Sequence, residues 1–402
     1  MDASYTFSMK TTKNPSTGST GSLKSSSGQA KKALALHKKL GGKIRIVPAM
    51  PVKNRADLAL IYTPGVAAVS TYVAQNPAKA REYTMKGRTV AVISDGSAVL
   101  GLGNIGALGA LPVMEGKAAL FKTFADVDAV PIVLDTQNTD EIVDTIIRIA
   151  PAFGGINLED FAAPRCFEIE RRVIEALDIP VMHDDQHGTA IVVLAGLINA
   201  LKVTGKKMPT VRIVVSGAGA AGTAIAKLLK LAGAGEITVL DSKGIIGPWR
   251  TDLTEHKQEL ATYTKHTEAG DLKTALAGAD VLIGVSGPGL ATAADIKLMN
   301  QKAIVFAMAN PTPEIMPDEA KRGGAAVIAT GRSDFPNQIN NSLAFPGIFR
   351  GALDHKVRRI TDDMKLKAAK AIAGLVKNST AQKIVPDMFD KKVALAVAKV
   401  IR

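Results

Sequence analysis

The chain has 402 residues, 47% of them apolar and only 4% aromatic, which is enough for two packed domains of ordinary size. Its one cysteine, Cys166, excludes an intrachain disulfide and has no second thiol at zinc-ligand spacing, so it is expected to pack as a small hydrophobe in a reducing compartment. The formal charge of +13 comes from scattered Lys and Arg with no aromatic-rich basic element, which argues against nucleic acid as a partner and fits a field that attracts small anions.

Residues 1–31 are dominated by Ser, Thr, Gly and Lys, with Asp2 the only acid. Such a segment buries too little to order itself and reads as a disordered tail. It is Ser-rich and acid-poor, as organellar presequences are, but it has no Arg and no apolar helical face. A cytoplasmic address is expected, or an organellar matrix if the tail is a presequence. Structure is expected from about Ala33. Thr89–Ser94 (TVAVIS) and Ala129–Leu134 (AVPIVL) are the near-continuous apolar runs of buried parallel strands, with helical stretches between and after them. Asp184–Gly188 reads as a polar hinge, followed by an apolar helix over Thr189–Val203. A second β-α-β series opens at Val211–Val215 and continues with strands near Glu236–Leu240, Val281–Val285, Ala303–Ala309 and Ala325–Ala329. The tail from Asn341 to Arg402 reads as mainly helical. No uninterrupted apolar segment is long and glycine-free enough to suggest a membrane span, so a soluble chain is expected. The pattern is α/β in two domains: a substrate domain over 32–183 to which helices of 341–402 return, and a second domain over 184–340.

Two G-x-G-x-x-G strings occur. Gly101, Gly103 and Gly106 of GLGNIG are separated from their strand by DGSAVL, and no acid follows at the end of a second strand. Gly217, Gly219 and Gly222 of GAGAAG stand directly between VRIVVS and the helical run TAIAKLLKLA, and the strand EITVL then ends at Asp241. That is the full context of a Rossmann-type, doubly wound dinucleotide-binding domain. Gly217 permits the tight turn, Gly219 lets a pyrophosphate approach the backbone, and Gly222 lets helix and strand close up. Ala220 and Ala221 open the helix whose N–H groups face the phosphates. Asp241 is placed for the adenosine ribose, while Ser242 and Lys243 could accommodate a 2′-phosphate, so NAD and NADP both stay open. The turn at Ser286, Gly287, Pro288 and Gly289 is expected to line the same cleft.

Two acidic pairs, Glu159-Asp160 and Asp184-Asp185, each follow an apolar run of the kind that ends at the ligand crevice of an open α/β sheet. Carboxylates converging from two such segments suit Mg²⁺ or Mn²⁺. His183 and His187 flank the second pair but lack a third nitrogen or sulfur ligand for zinc.

Taken in order, the strings YTPGV at Tyr62, SDGSAVLGLGNIG, GKAALF at Lys117, LEDF, HDDQHGTA, GAGAAG, MANPTPE at Asn310 and FPNQINNSLAFPG at Asn340 resemble the malic enzyme family, in its short microbial form, from about Lys38 onward. The resemblance implies oxidative decarboxylation of malate to pyruvate and CO₂ with NAD or NADP and a divalent metal. It implies Lys117 as general base, Tyr62 as general acid, Asp184 as the acid supporting the lysine, and Glu159, Asp160 and Asp185 as metal ligands. Asn310 and Asn340 would contact substrate or nicotinamide, and the first glycine string becomes a loop beside the site. A neutral Lys117 is expected, its pKa lowered by burial beside cationic centres. The resemblance also suggests a homodimer.

Departures matter as well. Larger members carry an arginine shortly after the GK motif to clamp a substrate carboxylate, and none lies between Lys117 and Ile132; the metal, the asparagines and Arg88 are the expected replacements. The acyltransferase-like extension of some bacterial relatives is not expected. Two rival readings share the domain pattern: an amino-acid or methylene-tetrahydrofolate dehydrogenase, which needs no divalent metal, and a non-catalytic nucleotide-sensing protein, which would not keep Lys117, Tyr62 and three acids together.

Overall fold

A computed structural model describes residues 27–99 and 101–402. The expected tail, up to residue 26, lies outside the described residues. The described residues 27–43 belong to one unit, which holds helix α1 (Ser27–Leu40). Residues 27–31 are therefore helical and not part of a tail. The run QAKKALAL is made of strong helix formers, and His37, Lys38 and Lys39 complement the dipole in the last turn.

Residues 44–402 form the second unit. It opens with α2 (Arg55–Ile61), α3 (Gly65–Gln75) and α4 (Ala80–Tyr83). Asn54 caps α2 by accepting from the Asp57 N–H, yet no residue of α2 or α3 is buried. A first α/β layer follows: β1 (Thr89–Ser94), α5 (Gly106–Ala125), β2 (Asp128–Val133), α6 (Thr139–Ile149), β3 (Gly155–Leu158), α7 (Arg165–Ala176) and β4 (Val181–His183). The strands lie in the order β2-β1-β3-β4, all parallel. Every residue of TVAVIS is buried, as expected of a strand with helices on both faces.

Helix α8 (Asp184–Thr204) starts directly after β4, so the expected hinge at 184–188 is instead its first turns. Two acids at a helix N-terminus are favoured by the dipole, which outweighs the poor intrinsic propensity of Asp and Gly188. Gly205, in the left-handed region at φ 74°, ends the helix. Most of α8 is buried, and it forms the spine of the largest core cluster, which includes residues from both sheets.

The second sheet is built from β5 (Arg212–Ser216), α9 (Ala220–Leu231), β6 (Glu236–Asp241), β7 (Gly244–Ile245), α10 (Glu255–Ala261), α11 (Leu272–Leu276), β8 (Val281–Gly284), α12 (Ala293–Ile296), β9 (Ala303–Ala307), α13 (Pro317–Arg322) and β10 (Ala325–Thr330). Its order is β10-β9-β8-β5-β6-β7, parallel apart from β7, which pairs antiparallel with β6. This is the two-domain α/β architecture expected, with the five strands of the second series each within a few residues of their expected place.

Three helices close the chain: α14 (Phe345–Asp354), α15 (Asp362–Gly374) and α16 (Lys392–Val400). Helices α14 and α16 pack on α5, and α15 on α8. Edge-on contacts of Phe121 with Phe345 (4.7 Å) and Phe349 (5.5 Å) lock α14 to α5. Two helical stretches, 55–75 and 184–204, are long and apolar enough to cross a membrane by length and composition, but each is interrupted by glycine. The second is apolar because it is a core helix; the first is two helices broken at Tyr62-Thr63-Pro64.

Candidate active site

Strand register builds the site. Because β3 and β4 are parallel with Leu158 opposite His183, the residues that follow them, Glu159-Asp160 and Asp184-Asp185, emerge side by side at one sheet edge. Asp160 takes a left-handed conformation (φ 58°) and its N–H donates to Asp185 Oδ2 at 2.8 Å, tying the two segments together. Carboxylate oxygens of Glu159, Asp160 and Asp185 all lie within 4.8 Å of one another. An all-oxygen set of three carboxylates, two of them buried, suits Mg²⁺ or Mn²⁺. His183 and His187 are not part of that cluster, though His183 Nε2 lies 3.7 Å from Asp185 Oδ2.

Lys117, from the middle of α5, enters the same place. It is buried, and its Nζ lies 2.5 Å from Asp184 Oδ2 and 2.8 Å from Glu159 Oε1, with the Phe345 ring centroid 4.3 Å away. A Cβ on Gly188 would collide with Asp184 Oδ1, so only glycine leaves room for that carboxylate. Three carboxylates, Asp184, Glu159 and Asp185, thus act on one ammonium, and the excess negative charge sets the protonation. Burial alone would lower the Lys117 pKa, but Asp184, Glu159 and Asp185 override it and hold the ammonium well above its ordinary value. The lowered value expected beside a bound metal concerns the loaded site; among the chain's own groups the nearest charges are acids. Burial, with repulsion from the neighbouring acids, raises Asp184 to about 6 and Glu159 well above the usual range despite Lys117. A site so rich in unshared negative charge fits a bound divalent cation.

The other catalytic residue implied by resemblance is elsewhere. Tyr62 stands at the C-cap of α2, 65% exposed, and is not among the partners of Lys117. Arg88 is also misplaced: it precedes the N-terminal end of β1 and pairs with Asp128 at the start of β2, whereas the acids follow the C-terminal ends of β3 and β4. In a parallel sheet these are opposite edges, so Arg88 is removed as a carboxylate clamp. Asn340 spends its Oδ1 on the Ser342 N–H, and exposed Asn310 precedes a cis proline.

GAGAAG forms the expected turn between β5 and α9. Gly217 sits at φ 119°, where a Cβ would be 2.7 Å from the Val285 carbonyl, and a Cβ on Gly222 would strike the Gly217 carbonyl. Gly219 is different: a Cβ there meets nothing within 4 Å. Its space opens into a cavity of about 800 Å³ bounded by Pro164, Gly217, Gly219, Asp241, Ser242 and Ser286. Its place, at the switch between β5 and β8, suits a dinucleotide. Asp241 is already engaged, however. Arg250 grips it at 2.8 and 3.2 Å and Lys257 reaches it at 2.7 Å. Burial would raise its carboxyl, but these partners lower it to about 2. Lys243 turns outward to Asp252 and does not line the cavity.

Several residues of the site carried no sequence signal that was used. Asn157, whose Nδ2 donates to Glu159 Oε2 at 2.9 Å, is a polar residue inside the apolar GINL strand, a signal that could have been read. Phe345 lies within the FPNQINNSLAFPG string as an apolar residue with no polar signal of its own, while Arg250 and Lys257 come from the stretch after β6, which carries no motif. Glu314 accepts from the Ser286 and Ala309 N–H groups and so braces both the cofactor turn and the Asn310 loop.

Residues 41–174 match the family described as "Malic enzyme, N-terminal domain" and residues 186–402 match "Malic enzyme, NAD binding domain". The chain is 53% identical over 373 residues to the bifunctional malic/malolactic enzyme of Bacillus subtilis, covering 92% of this chain and 91% of that one. It is 55% identical over 365 residues to the NAD-dependent malic enzyme of Geobacillus stearothermophilus, covering 90% and 76%. The crystal structure of an NAD-dependent malic enzyme from Thermotoga maritima superposes with a TM-score of 0.89 at 49% identity, covering 92% and 98%.

Proposed function

The chain belongs to the malic enzyme family, and on that premise we propose that it converts malate to pyruvate and CO₂ with Lys117 as general base and Tyr62 as general acid. The observation that carries the reading is the meeting of Lys117 with Glu159, Asp160, Asp184 and Asp185 at one sheet edge. Glu159, Asp160 and Asp185 would hold a divalent cation, which supplies Lewis-acid polarisation of the substrate's C2 oxygen. The cradle at Gly217, Gly219 and Ser286 would hold NAD or NADP, which supplies the hydride acceptor.

Lys117 takes the C2 hydroxyl proton and passes it to Asp184, 2.5 Å away. Asp184, Glu159 and Asp185 together hold Lys117 protonated, and the last two do so fully only while their charge is unshared. Once they are engaged as ligands that hold weakens, and burial then favours the neutral amine. Tyr62 returns a proton to C3 after CO₂ has left. A residue 65% exposed on an arm without buried residues cannot do this alone. Leu58, Leu60, Ile61 and Val69 on that arm, and Leu102 and Leu108 beside the first glycine string, are all exposed apolar groups. We therefore read the protein as a homodimer in which Tyr62 of one copy completes the site of the other. At the adenosine end, Arg250 and Lys257 outnumber the Asp241 they grip, and Lys257 lines the cavity, so it would admit a 2′-phosphate as well as a free ribose.

The test is spectrophotometric: malate with NAD or NADP, with and without Mn²⁺. Metal-dependent reduction of at least one cofactor is expected. Reduction that survives exhaustive chelation, or none under any condition, would refute the proposal.

A further inference from the structure

Glu170 lies on α7, behind the acids and outside the chemistry described so far. It is buried, yet among the described residues no lysine or arginine is paired with it. Its Oε1 accepts from the His183 N–H at 2.7 Å, and its Oε2 accepts from Gln186 Nε2 at 3.1 Å and lies 3.0 Å from His187 Nε2. All three partners belong to the five-residue segment that carries Asp184 and Asp185. A buried carboxylate is costly unless its bonds repay it, and here every bond goes to one stretch of chain. Burial would raise its pKa, but His187 and the His183 N–H lower it to about 2, so the carboxylate stays ionised. On its front side the segment is held by the Asp160 N–H at Asp185 and by Lys117 at Asp184, but both ring nitrogens of His183 are buried without a hydrogen bond and no side chain caps α8, so Glu170 is its hold from behind.

We propose that Glu170 is a positioning residue for the reaction: from behind, it fixes the turn from β4 into α8 so that Asp184 meets Lys117 and Asp185 faces Glu159 and Asp160. Without it, the His183 N–H and the Gln186 amide lose their acceptor, and the two acids lose the anchor that sets their register. The proposal rests on the reading of Glu159, Asp160 and Asp185 as metal ligands. Glu170 also borders a separate cavity of about 400 Å³, shared with Gln186, His187 and Arg171, so a hole left by a shortened side chain can be reached by a small anion.

The experiment measures Mn²⁺ affinity directly by electron paramagnetic resonance, without substrate, and NAD(P) affinity by fluorescence. In Glu170→Ala, Mn²⁺ binding is expected to weaken about 10–100-fold, as for other residues that orient metal ligands, with dinucleotide affinity unchanged. Formate should restore part of the Mn²⁺ affinity and of kcat, which repair of a merely structural defect would not do. Should that variant not fold, Glu170→Gln keeps the size and an acceptor for the His183 N–H, and a smaller loss in the same direction is expected. Asp185→Asn separates the two ideas. If it loses Mn²⁺ while the Glu170 variants bind within twofold of wild type, the positioning role is overturned. If Asp185→Asn itself binds normally, the metal reading fails instead, and the role of Glu170 with it.

Discussion

Replacing Lys117 with Met tests the charge arrangement of the site. Met keeps the apolar stem on α5 but removes the one ammonium that faces Asp184 at 2.5 Å and Glu159 at 2.8 Å. Breaking a buried pair by deleting one partner costs about 3–5 kcal/mol, because the remaining charge is left uncompensated. At roughly 2 cal/mol/K of unfolding entropy per residue, that is a fall in Tm of about 4–7 °C for a chain of this size. The loss must depend on pH with a defined sign. Asp184 is raised to about 6 from an ordinary 3.8, so its contribution favours the fold fully below about pH 4 and is lost as pH climbs through 6. Without the ammonium its folded value goes higher still. The Tm deficit of Lys117→Met should therefore be small near pH 5 and large near pH 8, measured by calorimetry in chelator. Turnover should fall by a factor of about 10²–10⁴, the usual contribution of a general base. An equal Tm deficit at both pH values would refute the charge argument, and turnover near wild type would refute the catalytic role.

Three further outcomes follow from the geometry. Gly219→Val should fold normally, since nothing lies within 4 Å of the added Cβ, but it should abolish dinucleotide binding measured by fluorescence titration; retained binding would move the pyrophosphate elsewhere. Lys257→Gln removes one of the two cations paired with Asp241 and should raise the KM for NADP about tenfold, equivalent to the loss of one charge-assisted bond, with little change for NAD. An equal effect on both cofactors would place the 2′-phosphate away from Lys257. Tyr62→Phe and Lys117→Met, each inactive alone, should regain about a quarter of wild-type activity when co-refolded, because half of the dimers are hybrids with one intact site. No recovery would mean that each chain supplies both residues to its own site.

Much of the fold was legible in the sequence. Runs such as TVAVIS are apolar throughout because both faces of a parallel strand are covered, and GAGAAG stands between a strand and a helix because the turn tolerates nothing larger at Gly217 and Gly222. Those are local constraints, and local sequence reports them. The acid pairs were also legible as residues following strands. Their convergence was not, because it depends on β3 and β4 being neighbours with Leu158 opposite His183. The hinge expected at 184–188 illustrates the limit: HDDQHG reads as polar and breakable until a helix dipole and the Glu170 carboxylate stabilise it from outside. Only the tertiary structure decided the sign of the Lys117 shift, the eviction of Arg88 to the opposite sheet edge, the cations that occupy Asp241, and the exposure of Tyr62. Each of these follows from which distant charges and chains come within a few ångströms, a quantity fixed by packing and not by the order of residues along one segment.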